Sequence, residues 1–163
     1  MSRMIATLFG VGYMRPASGT WGSLAALPLF WVLHVLGGPW LAALAILLVF
    51  ALGLWATRIE TRATGNEDPS EIVIDEVVGQ WIALFPVSYG ASFAGAAITD
   101  LWPGWVAAFL LFRLFDIWKP WLVGRADRRG DPLGVMLDDV WAGIFAAICV
   151  ILLAILAHGV LLL

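Results

Sequence analysis

Long apolar segments dominate the sequence and limit what the chain can fold into. Five of them occur, at residues 21–36, 39–57, 77–99, 101–118 and 140–163. A helix needs about 20 mainly apolar residues to cross the hydrocarbon core of a bilayer, and the second, third and fifth segments reach that length. The sequence therefore predicts an all-α, polytopic membrane helix bundle with about five membrane helices.

The composition supports a membrane protein and argues against other classes. Hydrophobic residues make up 62% of the chain and charged residues 13%, against about 45–50% and about 25% in soluble domains. The net charge of −3 gives no sign of nucleic-acid binding. No internal repeat or linker is evident, so residues 1–163 are interpreted as one integral-membrane domain.

The positions of the charged residues indicate a topology. Arginine and lysine occur before the first segment and in alternate connections, while the connections near 37–39 and 100–104 contain none. With five spans and the N-terminus inside, the positive-inside rule places every basic connection in the cytoplasm. Eleven acids then share that face: Glu60, Glu67, Asp68, Glu71, Asp75, Glu76, Asp116, Asp127, Asp131, Asp138 and Asp139. We therefore expect the chemistry at the cytoplasmic face, with only Asp100 on the other side.

Two pairs of adjacent carboxylates open apolar segments. They are Asp75–Glu76 in "SEIVIDEVVGQW" and Asp138–Asp139 in "GVMLDDVWAG". Both pairs fit the first turn of a helix, where acids cap free N–H groups and suit the helix dipole. Four converging carboxylates would instead repel one another unless a cation lay between them, and hard oxygen ligands favour Mg²⁺. Helix capping and metal binding both remain open for these pairs.

The stretch "FRLFDIWKPW" ends the fourth segment with Arg113, Asp116 and Lys119 at intervals of three. Residues three apart lie on neighbouring turns of one helix face. Charges inside a membrane usually face a cavity or each other, so a purely structural Arg–Asp pair is the alternative to a functional site. Pro120 is predicted to end the helix beside Lys119.

The stretch "RPASGTWGS" is rich in small residues and includes Gly19, Thr20 and Ser23. Backbone N–H groups at a helix start can bind a phosphate. The pattern is not a P-loop, because no Gly-Lys-Ser/Thr follows. A glycine-rich turn before a membrane helix is the alternative interpretation.

The remaining reactive side chains narrow the chemistry. Cys149 lies within the last apolar segment and is expected to be buried, which does not suit a catalytic thiolate. His34 and His158 lie in apolar segments and are expected to be bystanders. Carboxylates, lysine, arginine and hydroxyls remain, and this set suits metal-assisted hydrolysis of a phosphate ester.

Four motifs in series resemble the phosphatidylglycerophosphatase A family of bacterial inner-membrane enzymes. They are "GVGYMRPASGTWGSLAALP", "IVIDEVVGQW", "FRLFDIWKPW" and "GVMLDDVWAGI", and they extend from about Gly10 to Ile144. The resemblance implies Mg²⁺-dependent removal of the terminal phosphate of phosphatidylglycerophosphate, giving phosphatidylglycerol. Its implied partners are this lipid and the bilayer, and its implied location is the bacterial inner membrane with the site facing the cytoplasm. Leu122 departs from the family, whose members often have a second proline there.

The resemblance and the residues together suggest roles for the site. We expect Asp75, Glu76, Asp138 and Asp139 to hold one or two Mg²⁺ ions, with Asp116 coordinating directly or through another ligand. The residues expected to bind substrate are Gly19, Thr20, Ser23, Arg113 and Asp127, and the resemblance also matches Gly22 in the first stretch. Lys119 is expected to stabilise phosphate charge.

Two chemical routes and two other functions stay open at the level of the sequence. Water could attack the phosphorus directly, or Asp138 or Asp116 could form an aspartyl phosphate. Another lipid phosphate, such as phosphatidate or a polyprenyl phosphate, is an alternative substrate. A small divalent-cation transporter is the alternative from a different class, although a pore should place charges at several membrane depths.

Overall fold

The structure is a computed structural model that describes residues 1–66 and 69–161, with side chains to residue 157. Its helices are α1 Ser2–Ala6, α2 Ser18–Thr64, α3 Ile74–Ala94, α4 Trp102–Trp118, α5 Leu122–Asp127 and α6 Pro132–Leu161, with 3₁₀ turns at Val11–Tyr13 and Ile98–Leu101. Strands are absent from this described part of the chain, so the all-α prediction is confirmed. Glu67, Asp68 and the side chain of His158 lie outside the described residues.

Four helical stretches in the described residues are long and apolar enough to cross a membrane. They are α2, α3, α6 and residues 98–118, which include α4. The first two apolar segments of the sequence both lie in α2, which has 47 residues and would be about 70 Å long if it were straight. The helix is broken at Gly37 and Gly38, whose backbone angles are not helical. Gly38 has φ 61° and ψ −155°, a conformation that is essentially restricted to glycine.

Contacts with α3 show that α2 folds back at this break. Gly22 and Gly53 both lie against the start of α3. His34 shares a 2.7 Å hydrogen bond with Ser88, near the other end of α3. Residues 18–36 therefore run beside α3 in the same direction, and residues 39–64 return towards its start.

The central helix is α3, which packs against α2, α4 and α6. It lies close to α6 at Gly79 and Gly143, where a Cβ on Gly143 would clash with the Gly79 carbonyl oxygen. Without side chains at this crossing, the two backbones come together one turn beyond Glu76 and Asp139. The packing brings the starts of α2, α3 and α6 and the end of α4 to one end of the bundle.

The helix boundaries test two expectations from the sequence, the end of α4 and the capping role of the second acidic pair. α4 ends at Trp118, and Lys119 follows in the left-handed conformation with φ 50°, so the predicted stop before Pro120 is confirmed. α6 begins at Pro132, earlier than the apolar segment at residue 140 suggested. Asp138 and Asp139 consequently lie in the second turn, and the capping interpretation of this pair was wrong. The cap is Asp131, whose Oδ1 accepts a 2.6 Å hydrogen bond from the Gly134 N–H.

Candidate active site

Three carboxylates from three helices meet at the charged end of the bundle. Glu76 of α3, Asp116 of α4 and Asp139 of α6 each place one oxygen within 4.8 Å of the other two. Asp139 is only 3% exposed, and Glu76 is also buried. Carboxylates this close repel one another when ionised, so the arrangement is suited to a cation held by oxygen ligands.

Arg113 balances part of this negative charge. Its Nη1 lies 2.6 Å from Glu76 Oε2 and 2.8 Å from Asp116 Oδ2. The Arg–Asp pair expected from the i, i+3 spacing is therefore present, and it extends across to α3. Asp139 makes no salt bridge within the described part of the chain. Among the described residues, Asp139 is thus the one member of the cluster that has no direct ion pair.

The small-residue stretch lies against the same cluster. α2 begins at Ser18, which puts Gly19 and Thr20 in its first turn. A Cβ on Gly19 would overlap the Glu76 carboxylate, so a larger residue here would displace that carboxylate from its observed position. Ser23, one turn later, donates a 2.9 Å hydrogen bond to Glu76 Oε2. The first turn of α2 thus borders the site, and phosphate binding by its amides stays a prediction.

The first member of each acidic pair supports the second. Asp75 Oδ1 accepts a hydrogen bond from the Glu76 backbone N–H, and Asp138 Oδ1 accepts one from the Asp139 N–H, each at 2.9 Å. Asp138 Oδ2 also lies 3.0 Å from Lys119 Nζ. The structure therefore brings only the second carboxylate of each pair into the cluster with Asp116.

Lys119 forms a separate ion-pair group with Asp127 and Asp138. Its ion pairs are with these two residues and not with Asp116, which the helical spacing alone did not predict. Burial alone would lower the pKa of the Lys119 ammonium, but hydrogen bonds and negative charge from Asp127 and Asp138 outweigh it, so this pKa is raised above its ordinary value. Lys119 is consequently a persistent cation beside the carboxylate cluster.

Comparison with known proteins gives the family. The family model described as phosphatidylglycerophosphatase A matches residues 4–154. The chain belongs to this family. All of the motifs that carried the resemblance lie within the matched residues.

Two of the three relatives reported for this phosphatidylglycerophosphatase A family chain carry the family's name. A phosphatidylglycerophosphatase A of Escherichia coli (strain K12) is 36% identical over 147 residues, covering 88% of this chain and 78% of the relative. Another from Haemophilus influenzae is 40% identical over 149 residues, covering 90% and 85%. A Bacteroides thetaiotaomicron relative, whose name refers to a phosphatidylinositol-3-phosphatase, is 39% identical over 153 residues, covering 90% and 89%. No solved structure matches the chain.

One polar residue near the site was missed by the sequence analysis. Gln80 is fully buried, and neither atom of its amide has a hydrogen-bond partner among the described residues. It lies four residues after Glu76 on α3, and residues at this spacing share a helix face. Arg113 Nε is a second buried donor without a partner there. A polar residue at i+4 from an acid inside an apolar segment was the available signal.

His34, one of the two histidines expected to be bystanders, lies away from the cluster. His34 is bonded to Ser88 through Nδ1 near the opposite end of the bundle. Cys149 lies in the middle of α6 and is partly exposed, so the expectation that it would be buried was wrong. Its position in an apolar helix still gives it no contact with the charged end.

Proposed function

We propose that the protein hydrolyses phosphatidylglycerophosphate at a membrane surface, giving phosphatidylglycerol and inorganic phosphate. The observation that carries the proposal is the cluster of Glu76, Asp116 and Asp139, with one oxygen of each within 4.8 Å of the others. Membership of the phosphatidylglycerophosphatase A family supplies the substrate.

The proposed cation is Mg²⁺, because the donor set consists of carboxylate oxygens and contains no sulfur or nitrogen. Glu76, Asp116 and Asp139 would hold it. The other two expected ligands are Asp75 and Asp138. They are proposed to position the residues that follow them, since one carboxylate oxygen of each accepts a hydrogen bond from the next backbone N–H. When bound, the cation would neutralise charge on the phosphate and make water a better nucleophile.

Protein side chains would bind and orient the phosphate. Lys119 stays protonated, and its ion pair with Asp138 holds it beside the cluster. A phosphate oxygen can therefore take the place of the exposed Asp127 carboxylate as its second partner. Arg113 holds Glu76 and Asp116 in place. The backbone amides of residues 19–23 are proposed to contribute further donors to the phosphate.

Water is the proposed nucleophile. Its oxygen forms a new P–O bond and gives up one proton while the ester P–O bond breaks. The departing glycerol oxygen takes up a proton, so the products are phosphatidylglycerol and inorganic phosphate. Attack by Asp116 or Asp138, followed by hydrolysis of an aspartyl phosphate, is the alternative route. Acid quenching during turnover of substrate labelled in the terminal phosphate separates the two, because only the aspartyl route leaves label on the protein.

Five membrane segments in a bacterial inner membrane are proposed, with the site on the cytoplasmic side. The reversal of α2 at Gly37–Gly38 supports this count, since each half has a length suited to one crossing. The basic connections at alternate ends support the orientation. In a Cys149→Ser background, Asn66→Cys and Asp100→Cys should react with a membrane-impermeant thiol reagent from opposite sides of the membrane. Labelling of both from one side would contradict the topology.

The decisive experiment is phosphate release by purified protein in detergent, with and without Mg²⁺. Phosphatidylglycerophosphate, phosphatidylinositol 3-phosphate and phosphatidate are compared as substrates. The second is included because one relative's name refers to a phosphatidylinositol-3-phosphatase. Mg²⁺-dependent release from phosphatidylglycerophosphate alone would support the full proposal. Preference for the inositol lipid would move the substrate assignment, and equal release from all three would reject a specific substrate.

A divalent-cation transporter is disfavoured by the distribution of charge. The buried acids Asp75, Glu76, Asp138 and Asp139 all lie at one end of the bundle. A conducting path would need polar groups at successive depths. If the wild-type protein released no phosphate and did carry Mg²⁺ into proteoliposomes, the transporter would be favoured over the phosphatase.

A further inference from the structure

The connection after α4 holds an unusual backbone conformation at a tryptophan. Trp121 has φ 42° and ψ −104°, and Lys119, two residues earlier, has φ 50°. Positive φ is disfavoured for residues with a Cβ, so it persists only where surrounding contacts hold it, often at functional sites. This connection is therefore a candidate for a role beyond linking two helices.

Contacts on both sides hold the connection in this conformation. The Pro120 and Trp121 carbonyls accept 3.0 Å hydrogen bonds from the N–H groups of Val123 and Arg125. A Cβ on Gly124 would lie 2.5 Å from the Lys119 carbonyl oxygen, so glycine is required there for α5 to pack against it. The result is a fixed outward position for Trp121, which is 81% exposed.

The Trp121 ring belongs to a group of aromatic side chains beside the site. It meets Phe145 edge-on, with ring centroids 6.2 Å apart and an interplanar angle of 88°. Phe115 and Trp141 contact the same Phe145 ring at 5.8 and 6.4 Å. We call Phe115, Trp121, Trp141 and Phe145 the aromatic surface.

The aromatic surface is continuous with the charged groups of the site. Phe115 directly precedes Asp116, Trp141 is two residues after Asp139, and Trp121 is two residues after Lys119. A lipid phosphate is also divided into an anionic head and an apolar body. The neighbouring cation and aromatic surface match these two parts, because tryptophan rings favour the boundary between headgroups and acyl chains.

We propose that the aromatic surface, and Trp121 above all, binds the glycerol–acyl part of the substrate lipid while its terminal phosphate lies at Lys119 and the carboxylate cluster. This inference rests on the proposed function and names the part of the protein that selects a lipid over a free phosphate ester. Trp121 is thus a substrate-binding residue, and the strained connection sets its position relative to Lys119.

The test compares Trp121→Ala with the matched control Trp118→Ala. Trp118 is also strongly exposed, at 67%, at the same end of the bundle, but none of the ring contacts found among the described residues involves it. Release of phosphate is measured with dihexanoyl and dipalmitoyl phosphatidylglycerophosphate at a fixed detergent concentration. Wild-type protein should have the lower KM for the dipalmitoyl lipid.

Trp121→Ala should raise the KM for the dipalmitoyl lipid about tenfold with kcat unchanged, the pattern expected when binding alone is lost. The KM for the dihexanoyl lipid should change little, which also shows that the variant is folded. Trp121→Phe should restore most of the difference between the two lipids, and Trp118→Ala should behave as wild type.

Several outcomes would overturn the inference. They are equal changes for both lipids in Trp121→Ala, an equal effect of Trp118→Ala, and a wild-type KM that does not depend on acyl length. The second of these would reduce Trp121 to an ordinary interfacial anchor. Inactivity of the wild type on every lipid phosphate is a different result, because it would contradict the proposed function itself.

Discussion

The two acidic pairs are alike in sequence but differ in how their charges are balanced. In both pairs the first carboxylate accepts a hydrogen bond from the second residue's N–H, and the second carboxylate enters the cluster. In the α3 pair, Arg113 neutralises the cluster member, Glu76. In the α6 pair, Lys119 neutralises the supporting member, Asp138, and Asp139 has no ion-pair partner among the described residues.

This difference indicates where a bound cation would have the larger effect. Around the cluster, the cations Arg113 and Lys119 face five carboxylates, namely Glu76, Asp116, Asp127, Asp138 and Asp139. The excess charge is concentrated on the α6 side, at a residue that is almost completely buried. A bound cation would therefore stabilise Asp139 more than Glu76, and the two pairs should respond differently to mutation.

The largest effects are expected at the two cluster members. Glu76→Gln and Asp139→Asn should each lower phosphate release by about 10²–10³-fold or more, the scale for losing one preorganised electrostatic partner. In chelator, Asp139→Asn should raise the unfolding temperature, because it removes repulsion in the cluster. Glu76→Gln should lower the free energy of unfolding by about 1–3 kcal/mol, because it weakens a buried bond to Arg113.

The measurements for this pair are phosphate release and thermal unfolding, with and without Mg²⁺. Asp100→Asn, an exposed acid near the opposite end of the bundle, is the control and should change neither. Equal shifts in the unfolding temperature of both variants in chelator would contradict the asymmetry between the pairs.

A second effect should be confined to the α3 pair. Gly19→Ala would push the Glu76 carboxylate out of position, and displacement of a catalytic group by about 1 Å can cost about 10²-fold in rate. Gly90→Ala on α3 is the matched control, since a Cβ there meets no atom within 4 Å. Steady-state kinetics should show the loss for Gly19→Ala only. Full activity of Gly19→Ala would show that the reaction does not depend on the observed position of the Glu76 carboxylate.

The supporting members should give smaller and unequal effects. Asp138→Asn should reduce activity by about 10–100-fold, as is typical for partners behind a metal site, because it also removes one anionic partner of Lys119. Asp75→Asn should cost less than about tenfold, because an amide oxygen can still accept the Glu76 N–H. Kinetic assays of the two variants side by side make the comparison, and equal losses would contradict it.

The pH dependence follows from the same ion pair. A raised folded pKa means that the Lys119 pair stabilises the protein fully below the unfolded value of about 10.4 and is lost as pH rises through the folded value. The free energy of unfolding of the wild type should therefore not fall through deprotonation of Lys119 below about pH 10. In Asp138→Asn, denaturant unfolding at a series of alkaline pH values should show this loss of stability beginning at a lower pH. An unchanged pH of onset would show that Lys119 does not cause the loss.

The smallest effect concerns how the two helices begin. α6 has Asp131 as a side-chain cap, whereas the residue before α3, Val73, provides none. Asp131→Ala should lower the free energy of unfolding by about 0.5–2 kcal/mol, with activity unchanged. Hydrogen bonds from Arg129 and the Gly134 N–H lower the pKa of Asp131, so its contribution is present above the unfolded value and is lost as pH falls. Denaturant unfolding of the wild type and Asp131→Ala at neutral and at acidic pH measures this contribution.

Much of the fold could be predicted because the bilayer constrains it strongly. Apolar segments of sufficient length become helices, since lipid offers no other partner for the backbone, and α3, α4 and α6 overlap the predicted segments. Pro120 ended α4 as expected, because proline lacks the N–H that continues a helix. The start of α6 was not predicted, because Asp138 and Asp139 separate the short apolar stretch at residues 132–137 from the long apolar segment, and only the Asp131 cap marks the helix start.

The sequence by itself determined that the chain is helical, with apolar segments long enough to cross a membrane, and it identified the motifs of the family. Only the tertiary structure decided which carboxylate of each pair enters the cluster, that Asp116 joins them, and that Lys119 turns to Asp127 and Asp138. Adjacent residues on a helix point about 100° apart, so the choice between them depends on how neighbouring helices are rotated. Close approaches at Gly19, Gly79 and Gly143 set those rotations, and they exist only once the helices are packed.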